Sequence, residues 1–314
     1  MDGFLNVLKP SGVTSHDVVL LVRDIVGTRA GHLGTLDPLA VGVLPVVLGA
    51  YRRLSEYCLD QDKRYLAEFV FGVETDSGDV EGQVVERKDA RFLGAERVKE
   101  RLAKFTGTIS QEPPAFSALK VQGRKMYQWA REGVSVPRKP RTVQVHRFNL
   151  LRWTGGVLPK GLFSMEVSRG TYVRSLAIDL GRELGVGATV SYLLRSRSGP
   201  FGLDQCHTLG EIRRAAQAGH LERLLLDPLQ ALPGMARFHI VPSALDKVIH
   251  GVGLGYADFE DPVAVASHDP ECGPFLAYEK DGEGMARIVA VVSSKGNKLN
   301  YHKVLIRESD RVCG

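Results

Sequence analysis

Asp37 is the residue whose setting best suits chemistry in this 314-residue chain. It sits in the run Gly31-His32-Leu33-Gly34-Thr35-Leu36-Asp37-Pro38-Leu39, among apolar neighbours and with no second acid in the stretch 31–45. An Asp before Pro can simply close an Asx turn. A lone carboxylate framed by Leu33, Leu36, Leu39, Val41, Val43 and Leu44 also suits a shaped pocket, where it could attack a base or a sugar without a metal. His32 nearby suggests a metal pair, but no Cys/His/Asp cluster in the sequence completes one, and the expectation is a site without metal or other cofactor.

Two more residues have types that fit such a site. Tyr65 lies in an alternating apolar run and is either a core aromatic or a platform on which a base stacks, worth ~1–3 kcal/mol per base. Arg174 follows Gly170-Thr171-Tyr172 at a strand-to-helix junction. It is either a surface helix arginine or a bidentate partner that keeps a carboxylate ionised and aimed.

The elements that must position them are readable in outline. Residues 4–8 read as a strand, followed by a helix capped at Thr14 or Ser15, with Val18, Leu21, Val22 and Ile25 at helical spacing and Gly27 as its stop. The Asp37 loop comes next, then a short helix over 52–59. Residues 63–72 read as a strand with Tyr65, Ala67, Phe69 and Phe71 on one face, and 82–88 as its hairpin partner. Val98, Leu102 and Phe105 mark a helix ending at Gly107. Residues 110–141 read as an insertion carrying Pro113-Pro114, a short helix near 126–130 and the basic run Pro137-Arg138-Lys139-Pro140-Arg141. Strands over 142–153 and 162–167 and helices over 172–184 and 209–218 follow. Leu232-Pro233-Gly234 marks a boundary, beyond which 263–266, 275–278, 286–292 and 301–306 read as strands of a small barrel or sandwich.

Composition favours a polyanionic partner. The net charge is +5, and residues 120–152 carry nine Lys/Arg against the single acid Glu132, interleaved with Tyr127, Trp129 and Phe148. Phosphate contacts there would make binding salt-dependent, and structured RNA is read by shape and stacking. Residues 237–314 are slightly acidic, with eleven Asp/Glu, including Asp258, Glu260, Asp261, Asp281 and Glu283, against nine Lys/Arg. Four scattered cysteines without a CxxC pair speak against a disulfide framework. No stretch has the apolar length of a membrane span, and the N-terminus does not read as a signal peptide, so a cytoplasmic protein is expected.

The whole run 29–45 resembles the active-site motif of the TruB family of tRNA pseudouridine synthases. Further segments resemble the same family in the same order: Lys9-Pro10-Ser11-Gly12-Val13-Thr14-Ser15, Lys63-Arg64-Tyr65, Ser117-Ala118-Leu119-Lys120, Gly170-Thr171-Tyr172-Val173-Arg174-Ser175-Leu176, and Leu193-Leu194-Arg195-Ser196-Arg197-Ser198-Gly199-Pro200-Phe201. The resemblance covers roughly residues 4–230. It implies an α+β pseudouridine-synthase fold: a mixed, mostly antiparallel sheet with flanking helices and an RNA-binding thumb at about 110–141. Residues 237–314 resemble, more loosely, a small β-rich PUA domain, which gives a catalytic domain over 1–236 and an appended module over 237–314.

What the resemblance implies for the site follows residue by residue. Asp37 is the essential carboxylate, Arg174 its partner, and Tyr65 the ring that packs on the target base. Substrate contacts are expected from His32, Lys9, Tyr172 (which would also orient Arg174), Leu193, Lys120, Arg138, Lys139 and Arg141. The implied reaction converts a uridine in the T-loop of tRNA, position 55, to pseudouridine. The implied enzyme works as a monomer on the T-arm with no guide RNA or obligate protein partner. Competing readings are a non-catalytic RNA-binding protein, a base-excising hydrolase (disfavoured by the absence of a second acid in the motif) and a guide-RNA-dependent synthase of the dyskerin type.

Overall fold

The computed structural model describes residues 1–58, 61–117, 119–121, 123–134, 136–280, 284–295 and 298–306. Ala118, the acidic stretch 281–283 and Cys313, all singled out above, lie outside the described residues. The chain begins with β1 (Gly3–Lys9), α1 (Ser15–Val26), β2 (Ala30–His32), β3 (Val41–Leu48), α2 (Ser55–Cys58) and β4 (Lys63–Phe71). It continues through β5 (Val73–Thr75), β6 (Val84–Arg87), α3 (Ala95–Leu102), β7 (Gly107–Gln111), β8 (Lys120–Val121), β9 (Arg124–Lys125) and α4 (Met126–Arg131). Then come β10 (Arg141–Thr154), β11 (Lys160–Val167), α5 (Val173–Glu183), β12 (Ala188–Ser198), β13 (Phe201–Gly202), α6 (Leu209–Gln217), β14 (Leu225–Leu226) and α7 (Pro228–Ala231). The last part holds β15 (Arg237–His239), α8 (Leu245–Ile249), α9 (Pro262–Ala266), β16 (Phe275–Lys280), β17 (Ala286–Lys295) and β18 (Lys298–Val304).

One ten-stranded sheet organises the first 226 residues, in the order β14-β1-β3-β12-β4-β11-β10-β7, with β13 on β12 and β2 on β3. The β3–β12 pair is parallel and the other pairs in this sheet are antiparallel, which gives the mixed sheet the resemblance implied. Successive strand side chains point to opposite faces, and here both faces of the central strands are covered. Leu44, Val46 and Leu48 of β3 join Val18 and Val22 of α1, Leu176 and Leu180 of α5 and Ile212 of α6 on one face. Val43 and Val47 join Phe4, Tyr51 and Leu54 on the other, where Leu276, Ile288 and Val291 of the C-terminal sheet complete a second core. That second sheet runs β15-β16-β17-β18, a single open sheet rather than the expected barrel or sandwich.

Two further expectations are corrected, and two strands are added. β6 pairs with the short β5, not with β4, because the chain turns at Gly72 (φ 90°) and starts a separate two-stranded ribbon. Residues 263–266 belong to helix α9, not to a strand: Pro262 occupies its first turn and the Asp261 side chain accepts from the Ala264 N–H at 2.9 Å. Strands β3 and β12 were not foreseen as elements, although they form the centre of the sheet. No described helix is long and apolar enough to cross a membrane.

Candidate active site

Asp37 hangs in a loop between β2 and β3, and the loop is fixed from below by backbone-directed cations. Lys9, at the end of β1, is fully buried and its ammonium donates to the carbonyls of Pro10 (2.8 Å), Pro38 (3.1 Å) and Ala40 (2.7 Å). With all three N–H groups directed at carbonyls, Lys9 holds the Asp37 loop from below. Burial lowers its pKa to about 8, opposed by the nearby Asp37 carboxylate, which raises it.

Arg195 holds the opposite side. Its side chain is the largest of those fully buried, and its Nε donates to Val43 O (2.8 Å), Nη1 to Thr35 O (3.3 Å) and Nη2 to Gly34 O (3.1 Å). Gly42 permits this fit: a Cβ there would meet the Arg195 carbonyl at 2.3 Å, and its φ is +108°. Ser15, just after the Thr14 cap of α1, adds a two-way bond: its Oγ donates to Leu36 O (2.9 Å) and accepts from Leu36 N (2.8 Å). Ser11 Oγ donates to Leu39 O (3.0 Å). The segment 9–15 is therefore a cradle for the Asp37 loop.

Arg174 reaches Asp37 from the first turn of α5. Its Nε donates to Asp37 Oδ2 (2.8 Å) and its Nη2 to Asp37 Oδ1 (2.9 Å), the two-pronged geometry that fixes a carboxylate in plane as well as in place. The arginine side chain is 5% exposed and that of Asp37 is 31% exposed, so the pair is anchored inside while the carboxylate faces the surface. Nη1 donates to Ser77 O (2.7 Å), and Nη2 also donates to Phe116 O (2.8 Å). A cation at a helix N-terminus works against the helix dipole. A second buried acid offsets this, since Asp79 Oδ2 stands 3.6 Å from Nη1.

Asp79 was missed by reading the motif alone. The motif around Asp37 lacks a second acid, but the sheet brings Asp79 to Arg174, and Glu81 close enough that the Asp37 carboxylate raises the Glu81 pKa after burial and Asp79. Asp79 is itself fixed by Ser77 Oγ (2.7 Å) and the Glu81 N–H (3.1 Å). Gly78 (φ 78°) makes this turn fit, since a Cβ there would meet Ile178 at 2.8 Å. The stretch Thr75-Asp76-Ser77-Gly78-Asp79 reads in sequence as an ordinary turn, and Arg195 as one more cation in a polar-looking run. The usable signal for Arg195 was an arginine between the apolar pair Leu193-Leu194 and the Gly199-Pro200-Phe201 corner.

The other expected site residues fall into three groups. Tyr65 (8% exposed) and Leu193 (5% exposed) stand in the same buried apolar cluster as Leu36, beside Asp37, with Tyr65 in register with Arg195 across β4 and β12. His32 ends β2 half-buried; its Nδ1 has no hydrogen-bond partner, and burial pushes the imidazole pKa down, with Arg195, His16 and Lys125 adding repulsion. Tyr172 caps α5 through its backbone; burial raises its phenol pKa, and Ser117 hydrogen-bonds its side chain. Lys120 lies in β8, paired with Lys125; Arg138, Lys139 and Arg141 are exposed, and Arg138 holds Glu112 (3.3 Å) and Pro113 O (3.3 Å).

Comparison with known proteins gives this arrangement a family. Residues 23–173 match the N-terminal domain of the TruB family pseudouridylate synthases, and residues 174–249 match the tRNA pseudouridylate synthase B C-terminal domain. The chain is 49% identical over 253 residues to tRNA pseudouridine synthase B of Symbiobacterium thermophilum, covering 80% of this chain and 83% of that one. It is 47% identical over 254 residues to the protein of the same name from Moorella thermoacetica, with the same two coverages. Among solved structures, a chain of a Cbf5-Nop10-Gar1 complex superposes with a TM-score of 0.67 at 26% identity, covering 98% of this chain and 86% of that chain. The chain belongs to the TruB family of pseudouridylate synthases.

Proposed function

We propose that this protein isomerises uridine 55 in the T-loop of tRNA to pseudouridine, with Asp37 as the catalytic carboxylate and no cofactor. The reaction breaks the N1–C1′ bond, turns the uracil and joins C5 to C1′; the C5 proton is lost and the freed N1 takes one up, so no atom is gained or lost. Uracil leaves poorly, and the detached sugar must be kept from water. The observation that carries the reading is the Asp37–Arg174 pair: a carboxylate gripped on both oxygens from inside the protein and still open on its outer side. Tyr65 and Leu193 form the apolar wall against which a flipped uracil stacks, offsetting the few kcal/mol that extrusion of the base costs.

His32, Tyr172 and the insertion cations Lys120, Arg138, Lys139 and Arg141 contact the RNA in this reading. Residues 1–236 form the catalytic domain, 110–141 its thumb and 237–314 a PUA-like module. The enzyme acts in the cytoplasm as a monomer on the tRNA T-arm, without a guide RNA. The relatives named tRNA pseudouridine synthase B support the guide-free form.

The test is incubation of the pure protein with an unmodified tRNA transcript, followed by pseudouridine mapping. Pseudouridine at position 55 with no other macromolecule present is the expected result. An abasic site would establish the hydrolase reading instead, and binding without modification would leave an RNA-binding protein. Asp37→Asn is expected to lose turnover by at least about a thousandfold. Its tRNA affinity should stay within about tenfold, or ~1.4 kcal/mol. Normal turnover in that variant would remove Asp37 from the chemistry.

A further inference from the structure

Gln111 closes β7 at the root of the insertion and is 2% exposed. Its side-chain amide faces the backbone of Tyr172, the residue that caps α5 and precedes Val173 and Arg174. Nε2 donates to Tyr172 O (3.0 Å), and Oε1 accepts from Tyr172 N (2.7 Å). The contact mimics a pair of strand hydrogen bonds made by a side chain. It also does the work of a cap, because α5 has no side-chain cap of its own at Tyr172 and its first N–H groups need partners.

Two more bonds join the same short segments. Ser175 Oγ donates to Glu112 O (2.7 Å), and Arg174 Nη2 donates to Phe116 O (2.8 Å) while also donating to Asp37 Oδ1. The root of the insertion is thus stapled to the turn of helix that carries Arg174. An arginine aligned on both carboxylate oxygens tolerates little displacement, and misplacing a catalytic group by about 1 Å can cost on the order of 10²-fold in rate.

We propose that Gln111 is a positioning residue for the reaction: by clasping Tyr172 it sets the angle at which Arg174 presents Asp37, and so ties the seating of the RNA-holding insertion to the aim of the carboxylate. The proposal rests on the function given above. Gln111 touches neither substrate nor Asp37, and the effect passes through the α5 turn.

Three variants test it by single-turnover rate at saturating tRNA, by tRNA Kd and by hydrogen exchange of the Leu176 amide, which donates to the same Tyr172 carbonyl at 3.2 Å. Gln111→Met is expected to lose about 10–100-fold in single-turnover rate. Its Kd should stay within about threefold, and Leu176 exchange should quicken. Gln111→Glu carries a built-in rescue, since a protonated carboxyl accepts and donates as the amide does and the ionised form cannot donate. Its rate relative to the unaltered enzyme should therefore rise as the pH falls from 8 to 6. Ser175→Ala removes the neighbouring staple, should slow the step by less than Gln111→Met, and serves if Gln111→Met does not fold.

A Gln111→Met rate within twofold of the unaltered enzyme overturns the proposal. So does a loss of rate matched by an equal loss of tRNA affinity, which would make Gln111 an RNA-holding residue. A pH-independent ratio for Gln111→Glu also overturns it. If the unaltered protein makes no pseudouridine, the functional reading fails; the clasp is then decided by Leu176 exchange, and unchanged exchange in Gln111→Met refutes it.

Discussion

The Asp37 loop and the 110–141 insertion are both irregular in sequence, and they are built on opposite principles. The loop is held by buried cations that bond backbone carbonyls: Lys9 on Pro38 and Ala40, Arg195 on Gly34, Thr35 and Val43. In the insertion Arg124, Lys125, Arg138, Lys139 and Arg141 are exposed, and charged contacts there include exposed pairs such as Arg124–Glu132. A buried cation that satisfies carbonyls costs desolvation and gains little net stability. What it gains here is a backbone tied at several carbonyls, which is what the proposed role of Asp37, a carboxylate reacting at a defined atom, requires. In the proposed function the exposed cations serve the opposite need, a surface that adapts to a phosphate chain and exchanges it readily.

The strongest way to erase this difference is to remove Arg195. Arg195→Met leaves the buried Val43 carbonyl unpaired, at about 1–3 kcal/mol for an unsatisfied buried group, and releases the part-buried carbonyls of Gly34 and Thr35. The expected result is a melting point several degrees lower and a turnover reduced well beyond the stability loss, with tRNA Kd little changed. Arg195→Lys should recover part of the stability and less of the turnover, because an ammonium cannot span three carbonyls set out for a planar fork. Thermal melts and single-turnover rates on the same samples decide it. Unchanged turnover in Arg195→Met would show that the loop holds its shape without the clamp.

A smaller effect separates the rigidity of the loop from global stability. Burial brings the Lys9 pKa down to about 8 from the ordinary 10.5 of the unfolded chain. Between those two values the unfolded chain binds the extra proton, so the Lys9 contribution to folding stability increases as pH rises from about 8 to 10.5. Over the same range the neutral amine keeps two N–H groups for three carbonyls, and the Asp37 loop loses a tether. Turnover is therefore expected to fall above about pH 8 while the stability difference between the unaltered protein and Lys9→Met shifts in favour of the unaltered one. Denaturant titrations and pH–rate profiles check the two signs. Parallel loss of both would mean that the alkaline limb is unfolding.

The same contrast explains which parts of the molecule could be read from the sequence. The α1 cap, the apolar face of β4 and the helix beginning near Tyr172 depend on local patterns, and they stand where periodicity puts them. Strand β12 does not alternate cleanly, because it is bulged between Val190 and Tyr192 and again between Arg195 and Arg197, and each bulge breaks the period of two. Strand β3 contains Gly42 and Pro45, which read as loop residues. Gly42 is there because the Arg195 backbone leaves no room for a side chain. The motif around Asp37 was legible as a site, and so was Arg174 as its partner. Lys9 and Arg195 were not legible as clamps, since whether a cation faces water or a ring of carbonyls is settled by tertiary packing. Asp79 joined the site for the same reason: it lies 95 positions before Arg174, and its segment is brought there by pairing with Val190 of β12.

The mildest test lies in the insertion. Replacing Arg138, Lys139 and Arg141 together with Gln should leave folding stability within about 0.5 kcal/mol, as expected of exposed positions. The slope of log K against log salt for tRNA binding should flatten by about 2, if each cation meets one phosphate. An unchanged slope would remove this run from the interface. The three are not equivalent, however. Arg138 also holds Pro113 and Glu112, the latter the residue whose carbonyl takes the Ser175 staple and the neighbour of Gln111, whereas Lys139 is simply exposed. Lys139→Gln alone should therefore weaken binding without changing the single-turnover rate. Arg138→Gln should do both, with the rate change at most a fewfold, because the Gln111 clasp remains. Equal behaviour of the two single variants would show that the root of the insertion senses nothing of its outer cations, and that the adaptable and the rigid region meet only through the RNA.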